Sequence, residues 1–94
     1  MTSYEFEVAA KNALIKVLKN QYGIDATIDM LNFVWFTHVL GYKKACIYGL
    51  VMGKLYAEVT YNLDNDDMYV DVYTKTSNVK FTKDDMDFVA HYKK

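Results

Sequence analysis

The chain has 94 residues, 52% of them hydrophobic and 16% aromatic, with a formal net charge of -1. That length supports one domain, residues 1–94, whose single core buries about 60–65% of the unfolded surface. The apolar and aromatic content excludes a disordered chain. The near-balanced charge excludes a broad basic surface for phosphate backbones. Residues 51–94 hold six lysines against eight acids, a mild acidity that leans toward a protein or cationic partner.

Cys46 is the only cysteine, so no disulfide forms within the chain and nothing indicates an oxidised secretory scaffold. Residues 1–5 have neither the positive charge nor the apolar run of a signal peptide, so a cytoplasmic setting is expected. The most hydrophobic window, 31–53, is long enough to cross a bilayer but contains His38 and the pair Lys43-Lys44. Lysines near a bilayer centre cost about 2.5–3.5 kcal/mol each. No membrane association is expected, and the window reads as two core strands.

From residue 3 to 22 the pattern is helical, with Phe6, Ala10, Ala13, Leu14, Val17 and Leu18 on one side at three- and four-residue spacing. Ser3 is the expected N-cap, a simple cap because Phe6 and not a glutamate stands three residues later. Gly23 ends the helix by taking the left-handed conformation without steric cost. Residues 24–30 return the chain, with a short turn capped by Asp25 or Thr27.

Residues 31–40 read as a strand with Phe33, Trp35, Thr37 and Val39 on one face and Val34, Phe36, His38 and Leu40 on the other. Both faces are apolar, so the pattern leaves open which is inward. Gly41-Tyr42 makes a reversal into a strand over 43–50, and Met52-Gly53 a second reversal into a strand over 54–61. The next connection, 62–67, is rich in the short polar side chains that satisfy turn backbones. With Asn62 facing Asp67, Val59 opposes Val70 and Ala57 opposes Val72, an inward stripe continued by Leu55, Tyr61 and Met68. The same register sets Tyr56 against Tyr73, Thr60 against Tyr69, and Glu58 against Asp71. That last pair costs stability unless solvent or a cation relieves it.

After a loop over 75–78, Thr82 and Asp85 stand in a near capping-box arrangement, and Met86, Phe88, Val89 and Tyr92 give a final helix its apolar side. The expected fold is α+β: a four-stranded antiparallel meander with N-terminal and C-terminal helices, in the order α-β-β-β-β-α, both helices covering one sheet face.

The run Val34-Trp35-Phe36, a lysine-containing turn, then the strands from Tyr56 to Asn62 and from Tyr69 to Lys75 resemble small uncharacterised proteins of phages and prophages of Gram-positive bacteria. The resemblance covers residues 33–79. It implies no activity or cofactor. It does imply a setting, the host cell cytoplasm, in which small proteins often bind and block a host enzyme or a defence complex.

Chemistry is sparse. His38 and His91 have no acid or nucleophile at a diagnostic spacing, so His38 reads as a sheet residue and His91 as a favourable charge at a helix end. No short ligand spacing suggests zinc. Cys46 reads as a small buried strand residue. Asp64, Asp66 and Asp67 lack the loop length and terminal glutamate of a calcium hand. No glycine-rich phosphate loop is present, and Glu58 with Asp71 lacks an enclosing pocket. The expectation is a binding protein and not an enzyme, with no cofactor and no metal.

The candidate contact surface is therefore the outward face and hairpin carrying Tyr56, Glu58, Thr60, Asp64, Asp66, Asp67, Tyr69, Asp71 and Tyr73. Rigid amphipathic tyrosines are favoured interface anchors, although cross-strand aromatic pairs also stabilise a sheet on their own. The expected partner is a host or defence protein. A homodimer sealed through the tyrosine face is the alternative. Nucleic acid is the weaker alternative, since it rests on Lys43-Lys44 and on Lys75, Lys80 and Lys83 while Glu58 and Asp71 repel a phosphate backbone.

Overall fold

The computed structural model describes residues 1–75 and 79–92. Helix α1 (Ser3–Tyr22) is followed by a 3₁₀ turn at Ile28–Met30 and by strands β1 (Asn32–Val39), β2 (Tyr42–Tyr48), β3 (Leu55–Asn62) and β4 (Asp67–Thr74). Further 3₁₀ turns lie at Leu50–Met52 and Lys83–Asp85. The strands form one antiparallel sheet in the order β1-β2-β3-β4. The N-terminal helix and the four-stranded meander are thus as the sequence pattern predicts.

The cap of α1 sits one residue earlier than expected. Thr2 accepts from the Glu5 backbone N–H at 3.1 Å, and the Glu5 carboxylate accepts from the Thr2 N–H at 2.8 Å, a full capping box. These bonds hold the Glu5 carboxyl below its usual range. At the other end Gly23 takes φ 67°, and its N–H and that of Ile24 bond to Lys19 and Leu18 carbonyls.

The helix buries Phe6, Ala10, Leu14 and Leu18, a four-residue repeat that forms one stripe down its length. They meet Ala45 and Ile47 of β2, Ala57, Val59 and Tyr61 of β3, and the partly covered Met68, Val70 and Val72 of β4. Each large side chain fully buried there, such as Phe6, Leu14, Ile47 or Val59, contributes about 1.5–3 kcal/mol relative to exposure.

Between Phe33 and Trp35 the β1 register shifts: Phe33 opposes Ile47 and Trp35 opposes Cys46, leaving Val34 as the extra residue of a bulge. The simple alternation expected for this strand is therefore corrected. Phe33 and Phe36, expected on opposite faces, both turn toward the helix and meet Phe6 at ring centroid distances of 5.9 and 5.5 Å.

The C-terminal helix does not form. Thr82 and Asp85 make the expected capping box, but it starts only the 3₁₀ turn at Lys83–Asp85. Beyond it Met86, Phe88, Val89 and Tyr92 are exposed, so α1 alone packs on the sheet face that both helices were expected to share. A single short helix is marginal unless an apolar stripe packs on something. Here the Asp87 carboxylate instead accepts from the Val89 N–H in a local turn that competes with helix. Of the loop expected at 75–78, residues 76–78 lie outside the described residues, as do residues 93–94 after the expected final helix.

Candidate functional site

Strand parity and register place Trp35, Thr37 and Val39 of β1, Tyr42, Lys44 and Cys46 of β2, Tyr56, Glu58 and Thr60 of β3, and Asp67, Tyr69, Asp71 and Tyr73 of β4 on the sheet face away from α1. The β3–β4 register is the one read from the sequence, pair for pair. It fixes because the inward Ala57, Val59, Val70 and Val72 all belong on the helix side, and a one-residue slip would turn one strand's inward residues to the opposite face.

Side chains line up in rows across the strands. Trp35, Cys46, Glu58 and Asp71 form one row, and Thr37, Lys44, Thr60 and Tyr69 the next. Tyr56 and Tyr73 stack with ring centroids 5.2 Å apart and planes at 22°, an offset arrangement that adds about 0.5–1.5 kcal/mol beyond buried area. Trp35, Tyr42, Tyr69 and Tyr73 are each at least 40% exposed, so the face offers wide aromatic surface to solvent.

The facing carboxylates Glu58 and Asp71 are relieved from within. Lys44 Nζ lies 3.2 Å from Glu58 Oε2, so a β2 cation answers the β3 acid. The surplus of acids still marks its surroundings. The Tyr73 hydroxyl is pushed above its usual range by burial and then by the negative charges of Glu58 and Asp71. Cys46, expected to be buried, is half-covered in the same row. Its thiol is pushed up by desolvation and by Glu58, which favours the unreactive protonated form.

Of the nine predicted contact residues, Tyr56, Glu58, Thr60, Asp67, Tyr69, Asp71 and Tyr73 share this face. Asp64 and Asp66 do not join them. Asp66 takes φ 57° and accepts from the hydroxyl of the buried Tyr61, which drives that phenol's pKa up. Asp64 lies in the turn, where its backbone N–H bonds to Asn62 Oδ1 at 2.9 Å and its carboxylate flanks Gly41. Both acids shape the hairpin.

Sequence reasoning missed the half of the face supplied by β1 and β2. The alternation of Tyr42, Lys44 and Cys46 carried that signal, and the apolar flanks of β1 hid it. The pair Lys43-Lys44 is split by the same alternation: Lys44 is on the open face, while Lys43 is buried on the core side with Nζ 2.6 Å from the Met1 carbonyl oxygen. The two do not form a basic patch. His91 sits at no helix end and instead meets Asp87 at 2.6 Å. Among the described residues no three His, Cys, Asp or Glu side chains gather as metal ligands, and no helix is long and apolar enough to cross a membrane.

A family model described as "Family of unknown function (DUF6275)" matches residues 7–83. The chain belongs to that family. The match spans the whole sheet, and with it every residue of the open face of this DUF6275 member, and stops before the exposed segment that holds Met86, Phe88 and Tyr92. Comparison with curated proteins and with solved structures found no match.

Proposed function

We propose that this DUF6275 protein acts stoichiometrically, by docking its open sheet face on another protein, and that it has no catalytic role. The observation that carries the reading is the face itself. One side of the sheet packs against α1, while the other keeps Trp35, Tyr42, Tyr69 and Tyr73 at least 40% exposed around a Lys44–Glu58 pair. Large apolar patches on a soluble surface mark interaction sites, and tyrosine and tryptophan are the side chains that anchor them.

The charge on the face selects the kind of partner. Lys44 is engaged by Glu58, and among the described residues Asp67 and Asp71 on the same face form no ion pair. A target surface with a lysine or arginine beside an apolar patch complements that arrangement. The resemblance of the two tyrosine strands to phage and prophage proteins supports a host or defence factor as the target and inhibition as the outcome.

Affinity capture from host lysate tests the reading, with wild type, Tyr69→Ala/Asp71→Lys and Asp64→Asn compared side by side. The expected result is a partner held by wild type and by Asp64→Asn, lost with the double variant, and present in a fixed molar ratio by light scattering. An identical set of captured proteins for all three would sink it.

A further inference from the structure

We propose that the free edge of β1 is a self-complementary surface on which a second copy of this chain pairs, joining two four-stranded sheets into one of eight strands. β1 is an edge strand, so among the described residues the backbone groups on its outer side have no partner strand. Sheets usually guard such edges with charges, proline, bulges or cover, and the bulge of β1 at Val34 leaves residues 35–39 in regular register. Residues 32–39 contain no aspartate, glutamate, lysine, arginine or proline. The opposite edge is guarded, because β4 carries Asp67 and Asp71 and two β4 strands meeting antiparallel would bring acids together.

The bulge at Val34 confines regular pairing to residues 35–39, whose centre is Thr37. A two-fold axis through that centre and perpendicular to the sheet sets Thr37 against its copy and Trp35 against Val39 of the second copy, both on the open face. On the helix side it sets Phe36 against His38. Trp35 with Val39 and Thr37 with its copy are the aromatic–β-branched and threonine–threonine pairs that stabilise antiparallel sheets, and no like charges are opposed. The same register, continued one step outward, brings Val34 beside Leu40 of the other copy. These are among the most exposed apolar side chains of the region, at 61% and 94%. The symmetry keeps both α1 helices on one side and makes the two open faces a single continuous surface.

This pairing is independent of what docks on the open face, and the oligomeric state tests it separately. Sedimentation across a concentration series should show a wild-type dimer, retained by Thr37→Ser. Thr37→Lys, which opposes two lysines at the axis on an exposed position, should weaken the dimer by about tenfold or more with an unchanged circular dichroism spectrum. Thr37→Cys on a Cys46→Ser background should cross-link to a covalent dimer on oxidation, and His91→Cys on the same background should not. The proposal is overturned by a monomer at every concentration, by a dimer that Thr37→Lys leaves intact, or by one that Tyr56→Ala/Tyr73→Ala dissociates while Thr37→Cys fails to cross-link.

Discussion

Lys44 and Glu58 are joined across two strands at 3.2 Å, so this open-face lysine is held against the acid that would otherwise meet Asp71 unrelieved. Replacing Lys44 with methionine keeps the side-chain stem and removes the cation. The expected loss is about 0.5–1 kcal/mol, since the pair is partly exposed and the Glu58–Asp71 repulsion is restored. Urea unfolding at low and high salt checks this, because added salt should shrink the difference between variant and wild type.

Gly49 is needed for space. A Cβ at this position would lie 2.0 Å from the Met30 carbonyl oxygen, a backbone atom of the turn that leads into β1. Gly49→Ala should therefore lower stability by about 1–3 kcal/mol, as overpacking does. Gly23→Ala meets no neighbour and should lose only about 1 kcal/mol through its left-handed backbone. Denaturant midpoints of the two variants give the comparison.

Tyr61 donates its hydroxyl to Asp66, and this bond, followed by burial, raises the phenol above its usual value near 10. A folded-state pKa above the unfolded one means that the contribution is fully present below about pH 10 and is lost as pH rises through the folded value. Stability should fall above pH 10 in wild type. Tyr61→Phe should be less stable near neutrality and flatter above pH 10 when unfolding midpoints are followed across that range.

Removing residues 86–94 should leave stability within about 0.5 kcal/mol of the full chain. Met86, Phe88, Val89 and Tyr92 bury too little surface to add to the core, and the turn at Lys83–Asp85 is kept. A drop of several degrees in the thermal midpoint would contradict this.

The contrast between β3–β4 and the tail explains how much was legible in the sequence. The hairpin could be read pair by pair because its inward residues alternate in strict step and its Asn/Asp turn sets the register. In the tail, helical spacing was present but its apolar residues stay exposed, and spacing alone does not report packing. The cap at Thr2 was readable, since Glu5 stands three residues after it, but the neighbouring Ser3 drew the assignment. Lys43 misled in the other direction: a charged residue at an inward position reads as solvent-facing until the Met1 carbonyl is seen to receive it.

In β1 the single extra residue at Val34 works as a change of phase. Upstream of it odd-numbered positions serve the core; downstream they serve the open face. One strand thereby gives Phe33 and Phe36 to the aromatic cluster around Phe6 and, between them in sequence, gives Trp35 to the surface. Forcing Val34 into regular pairing, with no residue lost, would exchange the inside of the sheet for its outside along half of an edge.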